Sequence, residues 1–261
     1  MNDLQRLQSI AGEAGAIVRD GYHRRKKIRH KGTVDLVTQY DVQTEEFLLS
    51  ALAKAFPGYT LVGEESYEGS YDLDRAIYID PIDGTTNFVH GIPHLAVSLG
   101  LWEGGSPRLA VVYNPILDEL YRAEAGEGAW LGDTRLHVSD NERLIEALLA
   151  TGFPYAKAQR GVEYRWVTEA FSTLLPQIQD FRRLGAASVD LAYLAQGRFA
   201  GFYEIDLKPW DVAAGILLVQ EAGGVVSNLK GEPYRFGDRG IVAGTPAIHR
   251  QLLEQLPEFV A

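Results

Sequence analysis

Residues 78–91 read YIDPIDGTTNFVHG, and they follow an apolar run, Ala76-Ile77-Tyr78-Ile79, that has the character of a buried strand. The run leads directly into Asp80-Pro81-Ile82-Asp83-Gly84, two carboxylates around a proline, where burial alone would favour neither acid. In a regular strand residues three apart point to opposite faces, so Asp80 and Asp83 cannot converge if the strand simply continues. Pro81 has no N–H for a ladder and is expected to interrupt it. With the strand interrupted, the chain can curl until both carboxylates and the Ile82 carbonyl face one point, a hard-oxygen environment of the kind Mg²⁺ prefers. Gly84 permits the turn, and Thr85-Thr86 stand where a helix can begin. A helix start offers free backbone N–H groups and a positive dipole end to an anion, so a metal site and a phosphate site would adjoin. The plainer reading of DPIDG on its own is an Asx/Pro/Gly turn that caps a helix.

Two other acidic segments bear on that choice. Glu64-Glu65 close a strand-like stretch in LVGEES, and Asp211 sits beside Trp210 at the start of a largely apolar helix. An acid in a first helical turn can do no more than complement the dipole. Convergence of all three segments is the sharper expectation.

Composition narrows the function classes. The 261 residues suffice for one large α/β domain or two intimately packed halves, with 46% hydrophobic and 23% charged residues. No apolar run approaches the length of a bilayer crossing, so no membrane role is expected. The N-terminal MNDLQRLQSIAGEAG has neither a basic leader nor an apolar core, which makes a cytoplasmic address the expectation. Zero cysteines exclude disulfides, thiolate catalysis and sulfur-ligated metal centres. A formal net charge of −10 disfavours nucleic acid as a partner and favours small substrates.

Along the chain, Leu4, Leu7, Ala11, Ala14, Ile17 or Val18, and Tyr22 predict an amphipathic helix over 4–22. A second helix is predicted over 41–56, stopped by Pro57-Gly58. Strands are predicted at 60–63, 76–80, 95–102 and 109–113, with a Gly-rich hairpin region over 119–138. Beyond Asn141 the rhythm becomes alternating strand and helix: strands near 147–151, 181–184, 199–204, 225–226 and 241–243, helices over 162–175, 187–196, from Pro209 to the double glycine at 223–224, and 246–256. The fold class expected is therefore α/β, with an α+β N-terminal half (1–140, antiparallel sheet) and an α/β C-terminal half (141–261), forming one compact unit.

At this point the chain resembles the inositol monophosphatase family of lithium-sensitive, magnesium-dependent phosphatases. The matching pieces are GEES at 63–66, DPIDGTTNFVHGIPHLAVSLG at 80–100 and KPWDVAAGILLVQEAGG at 208–224, with DLVTQYD at 35–41 and GRFAGFYE at 197–204. The resemblance covers essentially the whole chain and implies a layered αβαβα fold and a homodimer. It implies Glu64, Asp80, the Ile82 carbonyl, Asp83 and Asp211 as ligands of two or three Mg²⁺ ions. Thr85, hydrogen-bonded with Asp41, would orient a metal-activated water that Glu64 helps deprotonate, while the Gly84 and Thr85 backbone amides bind phosphate oxygens. Asp83 and Asp211 would border the substrate as well as the metal. Two cations can stabilise the attacking and leaving oxygens together, so no covalent nucleophile is required.

Substrate choice falls beyond this cage. Glu204 is similar to a family position that hydrogen-bonds an inositol hydroxyl, and the LGAAS turn at 184–188, with Gly185-Ala186-Ala187 in it, resembles a second polyol-contacting segment. Many bacterial relatives carry Ser or Thr in the middle of that turn; its loss here either relaxes selectivity or is a harmless swap at a helix start. The implied reaction is hydrolysis of a small phosphorylated polyol, inositol monophosphate first. The alternatives are fructose 1,6-bisphosphate, histidinol phosphate or phosphoadenosine phosphate, or a regulatory RNA- or transcription-partner-binding protein on the same fold. The basic run HRRKKIRHK at 23–31 invites that last reading. The plainer one is a solvated helix C-terminus and a loop that carries Lys31 to the active-site mouth. His90, His94, Trp130 and Trp166 are expected to be structural.

Overall fold

The computed structural model describes residues 1–32, 35–71 and 73–259. Its first helix, α1 (Asp3–Tyr22), opens on an Asn2 cap in which Asn2 Oδ1 accepts from Gln5 N and Gln5 Oε1 accepts from Asn2 N. Its apolar stripe is buried at Leu7, Ala11, Ala14, Val18 and Tyr22, so Val18 rather than Ile17 completes the face. The basic run then forms strand β1 (Ile28–His30), paired with β2 (Leu36–Thr38), where the sequence led us to expect a loop. β1 is exposed at every residue and so lacks the apolar alternation that marks a strand. Thr38 caps α2 (Gln39–Ala55).

Seven strands follow in one sheet: β3 (Thr60–Gly63), β4 (Arg75–Asp83), then, beyond the short α3 (Thr85–His90), β5 (Ala96–Glu103), β6 (Ser106–Asn114), β7 (Glu119–Glu124), β8 (Gly128–Leu131) and β9 (Thr134–Arg135). β3 runs parallel to β4 and every other neighbouring pair is antiparallel. The remaining chain supplies β10 (Leu148–Thr151), α4 (Val162–Leu174), β11 (Asp180–Arg182), α5 (Ala187–Ala195), β12 (Gly201–Ile205), α6 (Pro209–Glu221), β13 (Val225–Asn228), β14 (Gly240–Gly244) and α7 (Pro246–Gln255). Its five strands lie in the order β11-β10-β12-β14-β13, parallel on the β10 side and antiparallel around β14.

Strand alternation assigns the layers. Ile77, Ile79, Val97, Leu99 and Val111 join the core beneath α1 and α2, while Ala76, Tyr78, Trp102, Ala110 and Val112 join one built on α5 and α6. Phe202, Ile241 and Ala243 of the second sheet pack into that same middle core. A third core sets Leu149, Tyr203 and Val242 against Trp166 of α4 and Ile248 and Leu252 of α7. The result is αβαβα. Every residue of α5 is buried, and α6 is buried from Val212 to Val219, as a helix held between two sheets requires. Among the described residues no helix is long and apolar enough to cross a membrane.

α6 passes close against the first sheet at Gly100, where a Cβ would stand 2.7 Å from Ala213 Cβ and 2.8 Å from the helix backbone. Backbone cannot yield as a flexible side chain does. Gly100→Ala is therefore expected to destabilise by about 1–3 kcal/mol, read as a lower denaturation midpoint at unchanged slope.

Candidate active site

The ladder between β4 and β5 resolves the problem posed by Asp80 and Asp83. The strand does not end at Pro81, as expected from the sequence, but runs on to Asp83 with a register shift. Asp80 lies opposite Ser98, and Asp83 lies opposite Ala96. A three-residue step on one strand is thus matched to a two-residue step on the other. Ser98 and Ala96 share a face, so the bulge turns Asp80 and Asp83 to that face too. Pro81 sits inside the irregular step, where no ladder N–H is required of it. Asp80 Oδ1 accepts from Ile82 N at 3.0 Å, which tightens the bulge.

Gly84 follows with φ 92°, a left-handed conformation open to glycine, and starts α3. Thr85 Oγ1 lies 2.8 Å from Asp41 Oδ1 and 3.1 Å from Ile82 O. Asp41 is wholly buried and does not itself line the cavity, which it reaches through Thr85. Its other oxygen accepts from Thr38 N at 2.8 Å and Thr38 Oγ1 at 2.5 Å.

The other two acidic segments converge on the same place. Glu64 leaves β3 with its N–H on Ile79 O at 3.2 Å. Buried Glu45 of α2 accepts from Glu65 N at 2.8 Å, and Gly63 leaves room for that carboxylate, since a Cβ there would be 2.6 Å from Glu45 Cδ. Asp211 stands in the first turn of α6, its Oδ2 accepting from Lys208 N at 2.6 Å. Asp83 Oδ2 accepts from Ser188 N at 2.7 Å and Ser188 Oγ at 2.5 Å at the start of α5. Lys31 reaches the mouth, as the plainer reading of the basic run expected, with Nζ 2.9 Å from Glu64 Oε1 and 2.6 Å from Glu65 Oε1. One cavity of about 620 Å³ is lined by Glu64, Asp80, Ile82, Asp83, Gly84, Thr85 and Asp211 and, on its other wall, by Gly185, Ala187, Asp190 and Glu204.

Several residues around the site were given no role by the sequence reading. Ser188, the last residue of the 184–188 turn, is buried and supplies a hydroxyl to Asp83. Phe153, Tyr155, Lys157 and Arg183 line the cavity, and their only sequence signal is their position beyond strand ends. His94 is structural in that its Nε2 lies 3.0 Å from buried Asp190 Oδ1, and His90 is exposed.

The charges are badly matched. Burial, then repulsion from Glu65 and Asp211 against the pull of Lys31, pushes the Glu64 carboxyl up to about 8. Burial and Asp83 push Asp211 up to about 7. Asp80 rises well above the carboxylate range through burial and the neighbouring acids. Among the described residues no three Asp, Glu or His side chains close around one point as coordinating groups, because Glu64 is turned to Lys31, Asp83 to Ser188 and Asp211 to Lys208. The donor set nevertheless suits a hard divalent cation: the donors are oxygens, and positive charge among them would relieve the burial and repulsion that raise their pKa values.

A carboxyl whose folded pKa exceeds its unfolded value holds its proton more tightly when folded. Its contribution to stability is then present below the unfolded pKa and is lost as pH rises through the folded one. Protein stripped of divalent cations is expected to lose melting temperature from this source between pH 4.5 and about 8. The decline should be shallower in Glu64→Gln, and added Mg²⁺ should stabilise more at the upper end of that window; differential scanning calorimetry checks both.

Comparison with known proteins adds ancestry. The sequence profile of the inositol monophosphatase family matches residues 3–261. A Nus factor SuhB from Pasteurella multocida is 40% identical over 250 residues, 94% of this chain and 92% of that protein. An inositol-1-monophosphatase from Mesorhizobium japonicum is 42% identical over 226 residues, 86% of this chain and 84% of that one. Among solved structures, the extragenic suppressor protein suhB from Bartonella henselae superposes with a TM-score of 0.90 at 37% identity, covering 98% of each chain. An IMPase from Thermotoga maritima gives 0.89 at 30% identity, covering 98% of this chain and 97% of that one.

Proposed function

The chain belongs to the inositol monophosphatase family, whose members are phosphatases generally dependent on a metal, and on that premise we propose that it is a Mg²⁺-dependent phosphomonoesterase that hydrolyses inositol monophosphate to inositol and phosphate. The observation that carries the reading is the β4 bulge, which turns Asp80 and Asp83 to one face of a cavity shared with Glu64 and Asp211.

In this reading Glu64, Asp80, the Ile82 carbonyl, Asp83 and Asp211 hold two or three Mg²⁺ ions. When bound, the ions lower the pKa of the attacking water and offset charge on the phosphate oxygens. The chain's own groups do the rest. Thr85 Oγ1 has one proton, and Asp41 Oδ1 at 2.8 Å is placed to take it. That leaves the hydroxyl lone pairs to accept from the water and fix its direction. Glu64 is placed to receive the proton of the water, because bound cations would bring its raised pKa back toward the usual carboxylate range and keep it ionised. The Gly84 and Thr85 backbone N–H groups hold phosphate oxygens, with Asp83 and Asp211 bordering the ester. Gly185, Ala187 and Glu204 meet the alcohol. Glu204 is 8% exposed, and burial raises its pKa well above the carboxylate range. Lithium inhibition, a homodimer and a cytoplasmic address belong to the same reading.

A second reading, as a Nus factor or other RNA- or transcription-partner-binding protein, draws on the relatives of that name and on one structural observation. The basic segment is turned to solvent: Arg24, Arg25 and Lys27, between α1 and β1, and Arg29 on β1 are all exposed. The net charge that disfavoured nucleic acid in the sequence gains no support from relatives so named.

Phosphate release from inositol 1-phosphate decides the main reading. Asp83→Asn is expected to lower Mg²⁺-dependent kcat/KM by about 100-fold or more; full retained turnover contradicts the assignment. Thr85→Ala and Asp41→Asn should each cost about 10- to 100-fold in kcat, with the double variant little worse than either, because the two act as one unit.

A further inference from the structure

Strands β10 and β12 run parallel, and their ends meet at the alcohol side of the cavity. The ladder pairs Ala150 with Phe202 and Thr151 with Tyr203. Thr151 Oγ1 donates to Tyr203 O at 2.7 Å, which ties the two strand ends together. Alternation sends Ala150 and Phe202 into the middle core and Leu149 and Tyr203 into the outer one. One residue further on, Gly152 and Glu204 come side by side toward the middle layer, and both line the cavity.

The Glu204 carboxylate occupies the space that a side chain at residue 152 would take. A Cβ there would fall inside the carboxylate, with Glu204 Cδ and both its oxygens as the three nearest atoms. Gly152 does not adopt the left-handed φ that favours glycine, so backbone conformation does not account for the residue. The close approach of Glu204 does. Among the described residues the carboxylate makes no hydrogen bond and no ion pair, although the Arg183 charge favours its ionised form and the Asp190 charge opposes it. Packing therefore sets its place: it is buried, lying back against the end of β10. A larger residue at 152 would meet the end of a flexible side chain rather than backbone. The strands would stand, and the carboxylate would move out of its recess into the room left for the alcohol.

We infer that Gly152 is the positioning residue of the alcohol site: by ceding its space to the Glu204 carboxylate it fixes how deep that carboxylate lies, and so which alcohol reaches it. The class that gains from the recess is a phosphorylated polyol whose hydroxyls donate to Glu204. This inference rests on the phosphomonoesterase reading and deepens it.

A leaving group without hydroxyls separates this role from a structural one. p-Nitrophenyl phosphate offers Glu204 no hydroxyl, whereas inositol 1-phosphate, glucitol 6-phosphate and glycerol 1-phosphate do. Selectivity is read, with Mg²⁺, as kcat/KM for the polyol phosphate that the unaltered protein turns over best, divided by kcat/KM for p-nitrophenyl phosphate. Gly152→Ala is expected to lower this ratio about 10-fold or more, because it displaces the hydrogen-bonding carboxylate. Glu204→Asp, which withdraws the carboxylate by one methylene, should alone cost the ratio about 10-fold. Added to Gly152→Ala it should cost less than about 3-fold, since the shorter side chain no longer meets the new methyl. Any melting temperature lost in Gly152→Ala should likewise be regained in part when Glu204→Asp is added, which keeps the test open if the single variant folds poorly. A ratio unmoved by Gly152→Ala, losses that simply multiply in the double variant, or turnover of p-nitrophenyl phosphate alone overturns the inference and leaves the phosphatase reading intact. Turnover of none of the four esters overturns the phosphatase reading and the inference with it.

Discussion

Like charges that share a low-dielectric cavity repel, and this constraint explains how the acidic side chains are mounted. Glu64, Asp80, Asp83 and Asp211 come from three separate elements, each held by a local donor: Lys31, the Ile82 amide, Ser188 and the Lys208 amide respectively. A single flexible loop bearing four acids would relax by moving them apart. Here β4 is the central neighbour of β3 and β5, and its bulge is pinned on both sides of the irregularity by ladder pairs at Ser98 and Ala96. The repulsion that remains appears as raised carboxyl pKa values rather than as displaced backbone.

The layers outside the cavity serve the same end. Glu45 lies beneath the Glu64-Glu65 turn and holds it through the Glu65 amide, which is possible because residue 63 is glycine. Asp211 enters from a helix buried between two sheets, pressed against β5 where residue 100 has no side chain. Asp41 carries its influence into the cavity only through Thr85. The chemistry and the core are thus one structure, since the sheet that buries Ile77 and Ile79 on one face presents Asp80 on the other.

Much of this is legible in the residues themselves. The amphipathic period of 4–22, the Pro209 helix start and the double glycine after α6 placed those elements to within a residue or two, because each signal is local. The convergence of the acids was visible in kind, but its device was not. Pro81 looks like a strand terminator, whereas the pairing partner across the ladder decides that it sits in a bulge, and that partner lies about 15 residues away in sequence. The β1–β2 hairpin was hidden for a different reason: exposed basic side chains at every position give no alternation to read. Lys157 and Arg183 carry no motif, and their shared position depends on Phe153 and on the space left at Gly185. Ser188 closes the 184–188 turn already singled out, yet its hydroxyl gains meaning only from Asp83, 105 residues away.

If the raised carboxyl pKa values arise from burial and repulsion that a hard cation relieves, cation binding must displace protons. Titrating Mg²⁺ into the protein near pH 7, in buffers of different ionisation enthalpy, measures that displacement directly. The account predicts an apparent binding enthalpy that varies with the buffer, corresponding to net proton release, with the release diminished in Glu64→Gln and Asp211→Asn. Binding with no buffer dependence, or no Mg²⁺ binding at all, would contradict it.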